Sequence, residues 1–303
     1  MQRTLRTFLV FAIAMAMSGC GNNDIGAALA LEARLEADDV SALDELSARA
    51  KGNAWAALAL GRANQLGIGK RLDLADAMYN YSLARDLPAA WYNAGLIYAQ
   101  HLFDGLPPES SQEPDNACFS PSAKSATMKA IDCFSHAAES PKPIQARIAL
   151  GFLYKKGQQE LLPNPALSCQ WFGRAAEEHD NEGRYQYALC LLRGEGVAKD
   201  GEKALHLLME AAKGQHVGAV QELAKLFSGS EDKVRAAFWH VLLAEMSSSH
   251  RKQAAQYLAS ISTSDIVRVR SDAKAWLVAH GNPKVTAGQY IWTLPVAVSD
   301  FAK

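Results

Sequence analysis

The chain has 303 residues, 49% of them apolar and 21% charged, with 31 basic against 32 acidic side chains. That is the composition of a folded chain rather than a disordered one, and a body of this length can bury a sizeable core. A formal net charge of −1 leaves no basic excess to hold nucleic acid and no strongly acidic tail.

The first twenty residues read as a targeting segment. Arg3 and Arg6 make a positive start, and Phe8 to Met17 is an uncharged apolar run, shorter than the roughly 20 residues a membrane helix needs. Met17-Ser18-Gly19-Cys20 follows, a large apolar residue and two small ones before a cysteine. This resembles the lipobox of bacterial lipoproteins, with Met where Leu is usual. The resemblance implies a signal peptide over 1–19 and acylation of Cys20, which would supply the more than one acyl chain that stable anchoring takes. An ordinary signal peptide cleaved nearby, with Cys20 incidental, is the competing reading. Gly21 stands where the family's inner-membrane retention signal would be Asp. The implied address is therefore the outer membrane of a Gram-negative bacterium, lipid-anchored and periplasm-facing, with residues 20–26 as a tether. Losing Arg3 and Arg6 leaves 29 basic against 32 acidic side chains, a net of −3. No later apolar run approaches membrane-spanning length.

Residues 27–53 read as a degenerate helix pair, with Leu29, Leu31, Leu35, Val40, Leu43 and Leu46 on helical spacing. From there a pattern recurs in which one small residue follows another by five places. The pairs are Ala56/Gly61, Ala90/Gly95, Ala146/Gly151, Gly183/Ala188 and Ala219/Ala224, and their second members lie 34, 56, 37 and 36 residues apart. Periods of this size mark stacked helical units. Three residues after the later anchors stand Tyr98, Tyr154, Leu191 and Phe227, on the same helix face; the first unit has Asn64 instead. Small residues let helices approach closely and the large ones fill the grooves between them. The turns repeat too: Gly67-Ile68-Gly69 with Asp73, and Gly194-Glu195-Gly196-Val197 with Asp200. Glycine suits the helix end and Asp can cap the next helix. Lys203-Ala204 leading through Leu207-Leu208 to Ala211-Ala212 is the clearest second helix; Lys129-Ala130 and Trp171-Phe172 begin similar ones.

The pattern A-x-x-x-L-G-x-x-Y, then G-x-G-V-x-x-D, then K-A-x-x-W-[YF]-x-x-A-A, resembles the Sel1-like repeat, a relative of the tetratricopeptide repeat. It covers about 54–250, with Gly183 to Ala219 the best copy. The resemblance implies an all-α fold, an α/α superhelical solenoid of Sel1-like or tetratricopeptide-like helix hairpins used to hold partners. Unit three departs from it with Pro163 and Pro165 in the turn, and unit five with Ser228 to Asp232. Residues 251–281 then read as capping helices, with Ser262 to Asp265 offering caps for the last one. Residues 282–303 form an apolar tail around Tyr290, Ile291 and Trp292, which either folds back on the last repeat or awaits a partner.

An insertion at about 102–125, rich in proline and serine, interrupts the second unit. Loops this long in compact arrays are usually functional or disordered. It holds Cys118; Cys133, Cys169 and Cys190 lie on predicted helices. An oxidising compartment favours pairing, and four cysteines allow three connectivities. Cys169 and Cys190 each stand about ten residues from the turn between two antiparallel helices, at matched height. This favours Cys169–Cys190 and leaves Cys118–Cys133 to tie the insertion to its own repeat. Four buried free thiols are the alternative.

No catalytic constellation stands out, and no enzyme activity or cofactor is implied. The eight histidines are dispersed, without H-E-x-x-H or zinc-finger spacing to cysteine, so no metal is expected. Gly229-Ser230-Glu231 is not a nucleophile elbow, and Gly67-Ile68-Gly69-Lys70 lacks the Walker spacing. Glu177, Glu178 and Asp180 read as solvated charges at a helix end, and Trp171 and Trp239 as core.

The resemblance implies that the first helix of each pair lines a concave face, whose non-core positions include Arg62, Asn93, Arg147, Tyr185, Gln186, Gln221 and Lys225. A protein partner is expected there, at the 102–125 insertion, or at both. Some Sel1-repeat envelope proteins serve as immunity proteins that neutralise secreted phospholipase effectors of type VI secretion. Others are tied to the cell wall, which makes a peptidoglycan fragment a further candidate ligand.

Overall fold

The computed structural model describes residues 23–69, 71–100, 118–119, 125–140, 143–158 and 160–280. Among these there are fourteen α-helices, one 3-10 turn and no strand beyond an isolated bridge between Gln158 and Leu161. The signal peptide, Cys20, most of the insertion and the apolar tail lie outside the described residues. The chain forms two compact units that divide between Pro163 and Asn164.

The first unit holds α1 (Asn23–Glu36), α2 (Ser41–Ala50), α3 (Ala54–Leu66), α4 (Leu74–Leu83), α5 (Pro88–Ala99), α6 (Ala126–Ala138) and α7 (Ile144–Lys156). Each helix packs on its sequence neighbour, and α3 packs in addition on α1 and α5. Five of the six early leucine-type positions enter this core; Val40 stays exposed in the connection between α1 and α2. The small-residue anchors are explained by what faces them. A Cβ on Gly61 would meet the Tyr81 ring of α4, and one on Gly95 the Phe134 ring of α6. The turn after α3 uses Gly67 in the left-handed region at φ 66°, where a side chain would be strained. Asp73 then caps α4 by accepting from the Asp76 amide at 2.9 Å. A disulfide joins Cys118 to Cys133 of α6, with Cα atoms 5.2 Å apart.

The second unit holds α8 (Pro165–Glu177), α9 (Asn181–Arg193), α10 (Gly201–Lys213), α11 (Val217–Ser228), α12 (Lys233–Met246), a 3-10 turn (Ser248–His250), α13 (Arg251–Leu258) and α14 (Thr263–His280). Its core runs from Ala188 through Leu208, Leu223 and Leu242 to Val269 and Ala273. Gly183 of α9 lies against Ala175 of α8, so close that an added methyl would strike its backbone. Aspartates at 180, 200 and 232 cap α9, α10 and α12 through the amides of Gly183, Lys203 and Arg235. A second disulfide joins Cys169 of α8 to Cys190 of α9, with Cα atoms 6.0 Å apart.

Asp180 is not the solvated charge its position suggested. It is partly buried beneath α9, and that burial raises its carboxyl above the ordinary value despite the amide it accepts. Trp239 is core, but Trp171 is only half-buried, with the Arg174 guanidinium 4.7 Å from its ring centroid.

Candidate functional site

Stacked helices can engage a partner through the faces they leave open. The first helices of the two units differ sharply here. Ten consecutive residues of α3, Ala56 to Gln65, are buried, as are ten of α5, Ala90 to Ala99. Helix α3 has α1, α2, α4 and α5 around it, so no side is left for solvent. Two expected contact residues therefore move inside. Arg62 is 8% exposed and pairs through Nη1 with Oε1 of Glu32 at 2.5 Å. Asn93 is fully buried and hydrogen-bonds the side chain of Tyr81, whose hydroxyl donates to Oε1 of Gln65 at 2.6 Å. Burial pushes the Tyr81 phenol well above its ordinary value. These groups satisfy one another because an unpaired buried polar group is costly. Arg147 on α7 is half-buried.

In the second unit α9 packs on α8 and α10, and α11 on α10 and α12. Two neighbours each leave an open face. Gln186, also expected at the surface, is 7% exposed and donates from Nε2 to Oε1 of Glu182 at 2.8 Å. The other carboxylate oxygen of Glu182 lies 2.9 Å from Nε2 of His216. His216 Nδ1 in turn accepts from the Ala219 amide at 3.1 Å, capping α11. Both contacts are made together by the neutral ring protonated at Nε2, a tautomer assigned from the network. Tyr185 lies over His216 with ring centroids 4.6 Å apart. Its phenol is raised by burial first, then by Glu222 and Glu182, against Arg193. Tyr185 and Gln221 are half-buried and Lys225 is exposed, its Nζ 3.1 Å from Glu222. Glu222 of α11 thus acts on both Tyr185 of α9 and Lys225, while Gln221 and the exposed Leu226 lie on α11.

Glu182, His216 and Leu226 were not singled out from the sequence. One signal was there: Glu182 and His216 are 34 residues apart, and Asn181 and Gly214, joined by a 3.2 Å hydrogen bond, are 33 apart. That is two or three residues short of one repeat, so the start of one unit's first helix meets the turn that precedes the next unit's.

Among the described residues, no three of His, Cys, Asp and Glu gather as metal ligands, and no helix is long and apolar enough to cross a membrane. A serine and a histidine do meet, Ser228 Oγ and His240 Nε2 at 2.9 Å. The Ser228 hydroxyl donates to the Ala224 carbonyl at 2.6 Å, and buried His240 has no partner at Nδ1. The pair lacks the orienting third group that an activated nucleophile uses.

Comparison with known proteins places these helices. The Sel1 repeat model matches residues 56–88, 144–180 and 181–216, so the chain carries three Sel1 repeats, over α3–α4, α7–α8 and α9–α10. A stretch of 100 residues is 30% identical to chitin synthase regulatory factor 2 of Schizosaccharomyces pombe. It covers 31% of this chain and 20% of that protein, so the chain spans about one fifth of the length of this relative. Among solved structures, a Sel1 repeat protein from Oxalobacter formigenes shares the fold at 23% identity and a TM-score of 0.50, over 74% of this chain and 88% of that one. A protective antigen of uropathogenic Escherichia coli strains with an SLR fold aligns at 16% identity and a TM-score of 0.46, over 88% of this chain and 63% of that one.

Proposed function

We propose that this chain is a non-catalytic interaction scaffold that holds another protein, and that it does so facing the periplasm from a lipid anchor at Cys20. Sel1 repeats are protein-interaction modules, and the observation that carries the reading is the open face of α9 and α11. There a half-buried aromatic, Tyr185, lies over the His216 ring and near the carboxylates of Glu222 and Glu182. Interface anchors are typically of this kind, a rigid aromatic within a polar rim. Two disulfides support an oxidising compartment, and Arg3, Arg6, the apolar run and Met17 to Cys20 support export and acylation.

Photo-crosslinking residues at positions 221 and 225 of the full chain, in its own cells, test the scaffold reading. One defined protein adduct supports it; absence of any adduct at both positions, with the protein folded and exported, overturns it. Identifying that adduct separates general scaffolding from neutralisation of a secreted phospholipase. Saturable binding of muropeptides without a protein adduct would point to a wall ligand instead. Cys20→Ser tests the anchor separately, since loss of acylation moves the protein from the membrane to the soluble periplasmic fraction.

A further inference from the structure

The last described helix, α14, turns an unusual face outward. It is held on α12 through buried Val269 and Ala273, with Trp276 set against Trp239 at 6.4 Å between centroids. On the opposite side Val267 is 67% exposed and Val278 85%. The terminal element of a repeat array normally presents a polar outer face. Val267, Ser271, Lys274 and Val278 follow one another at steps of four, three and four residues, the spacing by which one helix meets another along a shared seam. Arg270 is exposed beside this seam and Lys274 within it, and neither forms an ion pair among the described residues, whereas Arg268 on the flank is tied to Asp265 at 2.8 Å. Like charges four residues apart weaken a helix standing alone.

We propose that this seam docks an amphipathic helix of another protein, its apolar residues on Val267 and Val278 and its carboxylates on Arg270 and Lys274. The proposal rests on the scaffold reading above and names the class of partner that a second surface takes. Charge selects the occupant. A second copy would bring two cationic seams together. The chain's own residues 281–303 carry Lys284 and Lys303 against Asp300 alone, the wrong balance for this face. Two valines are too narrow an apolar face for a membrane surface.

The test uses the full mature chain and a designed helical peptide of about three heptads, with leucine at its seam and glutamate flanking it. The same peptide with lysine for glutamate is the control, and fluorescence anisotropy is the readout. The acidic peptide is expected to bind and the basic one not. Arg270→Glu with Lys274→Glu should weaken the acidic peptide by about tenfold or more and admit the basic one. Arg270→Gln with Lys274→Gln should abolish the preference, and circular dichroism checks that both variants fold. Equal binding of the two peptides, binding of neither, or acidic binding unchanged in the variants overturns the proposal. So does a dimer in light scattering that the glutamate variant dissolves. An intact adduct at position 225 alongside failure here leaves the scaffold reading standing; loss of that adduct alone counts against the scaffold and not against this face.

Discussion

Gly61 lies hard against Tyr81: a Cβ at Gly61 would stand 2.6 Å from the ring and 3.3 Å from the Ala77 carbonyl. The ring has little room to yield, because Tyr81 is fully buried and its hydroxyl is held by Gln65 and Asn93. Gly61→Ala should therefore destabilise the protein by about 1–3 kcal/mol, the range for overpacking. Gly26→Ala, in α1 where nothing lies within 4 Å, should be neutral or stabilising by about 0.5–1 kcal/mol. Shifts in chemical-denaturation midpoint check both. Equal stability of Gly61→Ala and wild type would show that the ring moves aside and that close approach is not why the anchor is small.

The Cys169–Cys190 bond closes a sequence separation of 21 residues. Replacing both cysteines with alanine should cost about 2–4 kcal/mol by freeing the unfolded chain. The effect should be local. Hydrogen exchange should quicken in α8 and α9 while the amides of α3 and α4 keep their protection. Unchanged exchange across α8 and α9 would mean that Gly183 packing on Ala175 already holds this pair.

The repeat framework was legible because steric demands leave a mark on residue type. Gly61, Gly95 and Gly183 are small because Tyr81, Phe134 and Ala175 face them, and the turn at Gly67 with its cap at Asp73 recurs at Gly194 and Asp200. Helix height likewise made the Cys169–Cys190 pair readable, and the same two residues are joined in the structure. Burial of Arg62 and Asn93 was harder to read, since a position on one helix is covered or not according to a third helix from elsewhere in the chain. The warning was in α5, whose sequence PAAWYNAGLIYA is apolar on every side and so calls for burial on every side. Of the expected contact residues, Tyr185, Gln221 and Lys225 do keep half-buried or exposed positions on α9 and α11. The Glu182–His216 tie could not be read, because it depends on how successive units stack.

His240 is 1% exposed, its ring stacked on Tyr257 at 3.9 Å, and burial first and His250 second hold its imidazole below the ordinary value of 6.5. The folded state then binds fewer protons than the unfolded one. This contribution to stability is complete above 6.5 and is lost as pH falls through the depressed folded value. His240→Phe keeps an aromatic ring on Tyr257 without a titrating group. It should flatten the part of the stability–pH curve below about 6.5, measured as the difference between wild type and variant in urea unfolding. Parallel curves for the two proteins would rule His240 out as the source.

The Arg62–Glu32 pair decides whether Arg62 is framework or contact. Both side chains are about nine-tenths buried, at 10% and 11% exposure, and they tie α3 to α1. Breaking a buried pair strands a charge without water or partner, so Glu32→Ala should cost about 3–5 kcal/mol. Replacing both, Arg62→Met with Glu32→Leu, removes the desolvation penalty along with the attraction and should fall close to wild type or above it. Denaturation midpoints of the two variants make the comparison. A framework role further requires that the double variant keep the cross-link at position 225, because α9 and α11 are untouched. A double variant that is as stable as wild type but has lost its partner would return Arg62 to the binding surface.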